Sequence, residues 1–178
     1  MELPNIDQAT IRLKEQLGDL VKTNQDALFS ASHDGLKVAG EAAACVQVED
    51  SGEVGDVLKL ANEFEIPVTT KGAGSSLTGG ATPIYGGWVL DLQKLDFLEV
   101  DEQNRIARCG PGVVVEDLQE KVQQVGLFYP PDPSSKGFCT IGGNIACNAG
   151  GLRCVNYGVT RDYVLALSGY LASGERVT

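Results

Sequence analysis

Residues 71–80 read Lys-Gly-Ala-Gly-Ser-Ser-Leu-Thr-Gly-Gly and directly follow a run typical of a β-strand, Ile66–Thr70. The segment holds four glycines and three hydroxyl-bearing residues, so little side-chain bulk separates its backbone from a ligand. A loop of this composition can bring successive backbone N–H groups against a phosphate or pyrophosphate. This segment, which we call the glycine loop, therefore predicts a phosphate-containing ligand.

The segments around the glycine loop predict a parallel sheet. Cys45–Val48 is typical of a strand, and Ser51 is placed to cap an amphipathic helix that must end before Pro67. Val68–Thr70 is the next predicted strand, and Trp88–Leu92 is a third strand of the same unit. A strand-helix-strand unit has parallel strands and a right-handed crossover. The glycine loop then lies at the carboxyl end of a strand, where ligands of open α/β sheets bind.

The chain before this sheet is predicted to hold one helix and a linker. Apolar residues at helical spacing indicate a helix from Ile6 to Lys22, with Asn5 and Gln8 as a loose capping box. The region Asn24–Gly40 has no clear period and is predicted to be a loop or linker. It contains the single histidine, His33, which we interpret as a solvated loop residue because no metal-ligating or catalytic partners cluster beside it.

The second half of the chain has a different pattern. Phe97–Val100 and Arg105–Cys109 flank a polar turn and predict a hairpin, and a helix with one apolar face follows over Val114–Val125. A second hairpin is predicted from Tyr163–Leu171 and the residues after Gly174. The last residue falls within the second strand of that hairpin, so the expectation is a chain that continues further.

Composition excludes several classes of function. The 178 residues carry a formal net charge of −10, which argues against binding to nucleic acid or to anionic membranes. No stretch is long and apolar enough for a membrane span. The five cysteines form no Cys-x-x-Cys pair and no zinc or iron–sulfur spacing, which favours a reducing compartment, the cytoplasm, and predicts no metal site.

Three interpretations compete for the glycine loop. Gly74 and Gly79 have the separation of a Walker A loop, but Gly80 stands where that motif needs its lysine. A dinucleotide fingerprint needs a third glycine at the position of Leu77, and Asp91, about 20 residues further on, is weak support alone. A flexible surface loop is the remaining interpretation.

A second glycine-rich element, Thr140–Gly151, repeats this chemistry with paired glycines, small residues and amide side chains. Two such elements, one in each half of the chain, can form the two walls of a cleft for a long phosphate-bridged cofactor. The alternative is a tight structural turn in which the asparagine side chains bond locally.

Five segments together carry a family resemblance: Pro67–Gly80, Gly110–Gly112, Tyr129–Ser135, Thr140–Gly151 and Tyr157–Thr160. In content and order they resemble the FAD-linked oxidase superfamily, whose PCMH-type FAD-binding domain is shared with vanillyl-alcohol oxidase and MurB. Within it they are most similar to the branch of the glycolate oxidase FAD subunit and D-lactate dehydrogenase. The resemblance extends from about residue 29 to residue 178.

The resemblance implies an α+β fold in which FAD lies between two subdomains, a βαβ lobe and a mixed or antiparallel lobe flanked by helices. It divides the chain into a helix and linker over 1–40 and an FAD-binding domain over 41–178, with subdomains of about 41–96 and 97–178. Backbone amides of the glycine loop would wrap the pyrophosphate; the loop's implied residues are Lys71, Gly72, Ala73, Gly74, Ser75, Ser76, Gly79 and Gly80. Tyr157 and Gly158 would close the site. The ribityl chain and isoalloxazine would contact residues of the second element and its neighbours, namely Asp132, Ser135, Thr140, Gly142, Gly143, Asn148 and Gly150.

The resemblance also implies chemistry. The family oxidises a 2-hydroxy acid, such as glycolate or D-lactate, to the 2-keto acid, with catalytic residues in a further domain outside this chain. The FAD is expected to be non-covalent because no histidine lies within residues 71–81. An electron-transfer partner subunit is implied, through which a cytoplasmic protein would be peripheral to the membrane. Arg153 and Arg161 are predicted to form structural ion pairs. The alternative is a truncated, non-catalytic flavin-binding module.

Overall fold

The computed structural model describes residues 5–178, and its first lobe, residues 5–96, is built on a four-stranded sheet. The strands are β1 (Val21–Lys22), β2 (Ala44–Gln47), β3 (Val68–Lys71) and β4 (Trp88–Asp91). Their order is β1-β2-β4-β3, and β4 pairs in parallel with both β2 and β3. The predicted parallel strands are therefore confirmed, with β4 inserted between the two strands of the predicted unit.

The first helix, α1 (Ile6–Leu17), is shorter than predicted. Its cap follows the prediction, since the Asn5 side chain accepts a hydrogen bond from the Gln8 backbone N–H at 3.0 Å. The predicted end at Lys22 is wrong because Gly18 adopts a φ of 55° and breaks the helix. A 3-10 turn and β1 follow, and β1 pairs antiparallel with β2.

A second helix, α2 (Gln25–Ala31), occupies the region that was predicted to be a loop or linker. Of its seven residues, only Ala31 is buried. The sequence therefore shows no repeat of apolar residues at helical spacing that would predict this helix. A short helix of this kind depends on tertiary contacts. The contacts in this case come from Lys71, far along the chain, as described below.

The third helix is α3 (Ser51–Glu63), and its N-cap lies one residue earlier than predicted. Asp50, rather than Ser51, is the N-cap: its carboxylate accepts from the Gly52 N–H at 2.7 Å. The Glu53 carboxylate accepts in return from the Asp50 N–H at 3.0 Å, which completes a capping box.

The second lobe, residues 97–178, contains two hairpins and three short helices. The first predicted hairpin is confirmed as an antiparallel pair, and the second is confirmed as two shorter strands. The elements are β5 (Leu98–Asp101), β6 (Ile106–Cys109), α4 (Val115–Gln123), α5 (Ile141–Cys147), α6 (Cys154–Tyr157), β7 (Gly169–Tyr170) and β8 (Arg176–Val177). The second glycine-rich element thus contains a helix, α5, preceded by an extended residue, Thr140.

Each lobe has its own apolar core. The first core surrounds Trp88 and includes Leu13 of α1, so the N-terminal helix packs within the first lobe. The second core is centred on Val115 and Leu118 of α4. Leu95 packs against the first core and Leu98 against the second.

The second hairpin returns to the first lobe and packs on α3. A Cβ atom added to Gly55 of α3 would lie 2.8 Å from Cε1 of Tyr170 and 3.1 Å from the carbonyl oxygen of Gly174. The hairpin is therefore in direct contact with the helix backbone. No helix within residues 5–178 is long and apolar enough to cross a membrane.

A buried hydrogen bond ties α1 to the sheet and can be tested. Trp88 is fully buried, and its indole N–H donates to the Thr10 hydroxyl at 2.9 Å. The Thr10→Val variant leaves this donor unpaired, so we expect the free energy of unfolding to fall by about 1–3 kcal/mol. Thr10→Ser keeps the hydroxyl and serves as the matched control. Urea denaturation of both variants checks this, and equal stabilities would contradict it.

Candidate functional site

The glycine loop leaves the carboxyl end of β3 and turns on left-handed glycines. Gly74 has a φ of 66° and Gly79 a φ of 76°, conformations that other residues adopt only with strain. Inside the loop, the hydroxyls of Ser76 and Thr78 are 2.7 Å apart, and the Thr78 N–H donates to the Ser76 hydroxyl at 3.2 Å. Backbone geometry and local hydroxyl bonds therefore define the shape of the loop.

The Lys71 ammonium lies beneath the loop and is fully engaged with backbone carbonyls. It donates to the carbonyl oxygens of Ser30 at 2.6 Å and Ala31 at 3.3 Å, and to that of His33. Burial lowers the pKa of Lys71, while Cys45 and the nearby carboxylates of Asp91 and Asp34 oppose that shift. The Lys71 side chain thus holds the end of α2 and directs its charge at that helix.

His33 lies at this junction and is half-buried, in contrast to the solvated residue expected from the sequence. Its Nδ1 is 2.8 Å from the Phe29 carbonyl oxygen, and its ring centroid is 4.6 Å from that of Phe29. The role of His33 in this geometry is therefore to stabilise the end of α2.

A cleft of about 740 Å³ opens at the carboxyl ends of the parallel strands. Gln47, Lys71 and Asp91, the last residues of β2, β3 and β4, line it together with Ala73–Ser75 of the glycine loop. Asp91 accepts from the Gln93 backbone N–H at 2.9 Å, so its carboxylate is fixed in the cleft wall. Cys45 also lines the cleft, and burial raises the pKa of its thiol to about 11.

The second element is anchored by backbone pairing with the start of α4. The Val115 N–H donates to the Cys139 carbonyl at 3.1 Å, and the Ile141 N–H donates to the Val113 carbonyl at 2.8 Å. Gly142 packs so closely on Pro111 that a Cβ atom would lie 2.6 Å from the proline Cβ. This pairing presents Thr140 toward the first lobe.

The two glycine-rich elements meet at two points. A Cβ atom on Gly72 would overlap the Thr140 hydroxyl oxygen, so this approach requires glycine. The Ser76 hydroxyl lies 3.6 Å from the thiol of Cys147, the last residue of α5. The elements predicted to form two walls of one cleft are therefore adjacent in the structure.

Two buried polar atoms at this junction have no hydrogen-bond partner within residues 5–178. They are Oγ1 of Thr140 and Nδ2 of Asn144, and each residue is only 3% exposed. Buried polar groups are normally paired, so unpaired ones indicate a missing ligand or water. Asn144 was not among the predicted site residues, since its sequence position does not reveal that its side chain is buried.

The rest of the second element is stabilised by contacts with the segment around residues 159–161. Asn148 adopts a φ of 47°, and its side-chain oxygen accepts from the Arg161 N–H at 3.0 Å. This bond joins residues 13 positions apart, so it is not the bonding within a tight turn that was the alternative, and it leaves the Nδ2 donors of Asn148 free of it. Gly143 lies near Thr140, since a Cβ atom there would be 3.5 Å from the threonine hydroxyl oxygen, whereas Gly150 packs against Val159.

Tyr157 and Gly158 are joined to the second element through the turn that follows them. The Thr160 hydroxyl and N–H both donate to the Ala149 carbonyl, at 2.6 and 3.0 Å. Gly158 has a φ of 85° and leaves no room for a side chain beside Asp162. Tyr157 is about half exposed at the end of α6.

Asp132 and Ser135 support the second element in different ways. The Asp132 carboxylate pairs with Lys136 at 3.2 Å and with Arg153 at 3.6 Å. The Ser135 carbonyl accepts from the Cys139 N–H at 2.8 Å, which leads the chain into the element. The ion pair predicted for Arg153 is thus confirmed, as is that of Arg161, which lies 3.8 Å from the Asp162 carboxylate.

A family model described as an FAD binding domain matches residues 42–178. The chain belongs to this FAD-binding family. A D-lactate dehydrogenase from Anaerostipes hadrus is 46% identical over 82% of this chain and 31% of its own length. The glycolate oxidase subunit GlcD of Bacillus subtilis is 44% identical over 74% of this chain and 28% of its own. The chain therefore spans about a third of the length of these curated relatives.

A solved structure of p-cresol methylhydroxylase shares the fold, with a TM-score of 0.82 over 96% of this chain and 34% of that protein. Its identity of 24% supports the fold alone. The expected α+β FAD-binding fold is thereby confirmed, and FAD is the cofactor of the family. The residues present suit that cofactor. The glycine loop has little side-chain bulk and leaves its backbone accessible to a pyrophosphate, and the unpaired hydroxyl of Thr140 and amide of Asn144 can form hydrogen bonds with a ligand.

The junction of the two lobes can be tested by a compensating pair of substitutions. Gly72→Ala should destabilise the protein by about 1–3 kcal/mol because its methyl group overlaps the Thr140 hydroxyl. Thr140→Ala removes that hydroxyl, so the double variant should recover most of the lost free energy of unfolding. Urea denaturation of the two single variants and the double variant measures this coupling. Strictly additive losses would contradict the contact.

Proposed function

We propose that the glycine loop binds the pyrophosphate of FAD through its backbone N–H groups, while the second element contacts the ribityl chain and isoalloxazine. This proposal rests on the contact between Gly72 and Thr140, which brings the two glycine-rich elements together. Beside this contact lie two buried polar groups, the Thr140 hydroxyl and the Asn144 amide, that have no hydrogen-bond partner within residues 5–178. Gly72–Ser76, with the turn at Gly79 and Gly80, forms the pyrophosphate side. The FAD is non-covalent in this proposal.

The geometry refines the contribution of individual residues. Lys71 contributes through the backbone that follows it, because its ammonium is engaged with α2. In the second element, Thr140, Gly142, Gly143 and the Nδ2 donors of Asn148 and Asn144 face the cofactor in this proposal. Asp132, Ser135, Gly150, Tyr157 and Gly158 support the element and shape the edge of the site.

We propose that the whole protein is an FAD-dependent oxidoreductase acting on a 2-hydroxy acid of the glycolate or D-lactate type. Bound FAD would supply the redox chemistry: it would take a hydride equivalent from the α-carbon, and loss of the hydroxyl proton to a base would leave the 2-keto acid. This chain's part is to bind and orient the cofactor. The names of the relatives, D-lactate dehydrogenase and glycolate oxidase subunit, support the substrate class.

A partner subunit that receives the electrons belongs to the same proposal. The Bacillus subtilis relative is named as a subunit, which supports an assembly of several chains. The protein would then work in the cytoplasm, peripheral to a membrane through that partner.

The cofactor assignment predicts a strong effect at Gly74. In the full-length protein, Gly74→Val should abolish flavin binding, because a β-branched residue cannot keep a φ of 66° and its Cβ would lie 2.7 Å from Cε of Lys71. Gly169→Val is the matched control, since Gly169 lies in β7 outside the proposed site and a Cβ atom there would meet nothing within 4 Å. Flavin absorbance per mole of purified protein is the measurement. Unchanged flavin content in the valine variant would refute the loop assignment.

The substrate class predicts reduction of the bound flavin. Mixing the full-length, FAD-loaded protein anaerobically with glycolate or D-lactate should bleach the visible flavin band. 3-Hydroxypropionate, which lacks the α-hydroxyl group, should leave the band unchanged. If the protein binds FAD but neither hydroxy acid bleaches the flavin band, the result would instead support the non-catalytic flavin-binding module.

A further inference from the structure

Lys71 is almost completely buried, yet its charge faces away from the predicted ligand. Its ammonium donates to three carbonyl oxygens at or just after the end of α2, those of Ser30, Ala31 and His33. Carbonyls at the end of a helix have no partner within the helix and carry partial negative charge. One ammonium with three donors therefore terminates α2 and fixes the segment that follows it.

That segment is bound directly to the glycine loop. The Gly35 N–H donates to the Gly74 carbonyl at 2.7 Å. A Cβ atom on Gly35 would lie 2.8 Å from the carbonyl oxygen of Ser75, so the two backbones are in contact. The segment after α2 therefore supports the loop at its left-handed turn.

The Lys71 stem also lies directly against that turn. A Cβ atom on Gly74 would lie 2.7 Å from Cε and 3.3 Å from Nζ of Lys71. The loop consequently folds around the lysine stem on one side and rests on Gly35 on the other. Both supports depend on the ammonium, because it holds the end of α2 in place.

We propose that Lys71 is the positioning residue of the glycine loop, acting through α2 and Gly35 rather than as a phosphate ligand. It follows that α2, which precedes the matched segment 42–178, is part of the FAD-binding unit. The assignment rests on the proposed function of the loop. It gives the Lys71 side chain a role of its own, beside the backbone contact that the family resemblance implied for this residue.

Substitutions in the full-length protein test the assignment, with FAD affinity measured by titration of the apoprotein. Lys71→Ala should weaken FAD binding by about 10- to 100-fold, the range expected for hydrogen bonds to a charged group. Lys94→Ala is the matched control, since Lys94 is exposed and its loss changes the net charge equally. Equal affinities of the two variants would overturn the proposal.

A double-mutant cycle distinguishes positioning from direct phosphate binding. Gly35→Ala keeps the ammonium but disturbs the support at Ser75, so it should weaken FAD binding on its own. Because both residues act through one support, the effects of Lys71→Ala and Gly35→Ala should be clearly less than additive. Additive losses would assign Lys71 an independent role and overturn the proposal, as would an unaffected Gly35→Ala variant.

A further readout concerns the charge at the end of α2. Propylammonium added to Lys71→Ala can occupy the vacated volume, so it should restore FAD affinity, whereas tetramethylammonium, with no N–H donor, should not. Restoration by both cations, or by neither, would contradict the proposed hydrogen bonds. Suppose that the wild-type protein binds FAD while the Gly74→Val variant does not. In that case, wild-type FAD affinity in the Lys71→Ala variant would refute this inference alone and would not affect the proposed function.

Discussion

The close approach of Gly72 to Thr140 is the constraint on which the site depends. Neither lobe contains the whole site: the glycine loop is supplied by the first lobe and the unpaired donors by the second. Only a residue without a side chain can stand at position 72, because the Thr140 hydroxyl occupies the place of a Cβ atom. In the proposed site, correct docking of two separately packed cores is therefore a condition for cofactor binding.

In the proposed site, an acidic chain binds a doubly charged pyrophosphate, and the repulsion between the two has to be offset. The chain has a net charge of −10, and the lysine beside the loop is turned toward α2. The backbone N–H groups of the glycine loop would offset this repulsion, because their dipoles are fixed in direction and need no mobile cation. Hydroxyls within the loop shape this backbone through short local bonds, as between Ser76 and Thr78.

Much of the fold could be predicted because it depends on local pattern. Strands such as Trp88–Asp91, the helix over Val115–Gln123 and both hairpins follow from apolar period and turn residues. The missed helix, Gln25–Ala31, lacks that pattern and is stabilised by a lysine that is distant in the sequence. Likewise, composition indicated the two glycine-rich elements, whereas the buried donor of Asn144 and the orientation of Lys71 depend on tertiary packing.

The return of the second hairpin to α3 has a consequence for how the protein reaches its folded state. Gly55 is covered by Tyr170 and Gly174, residues that leave the ribosome long after α3 itself. The first lobe therefore keeps part of a helix surface uncovered while most of the second lobe is being synthesised. Contacts so distant in sequence slow folding, and they expose nascent chains to misassembly. The hairpin is therefore a late contact, and α3 is fully covered only after residues 169–178 have been synthesised.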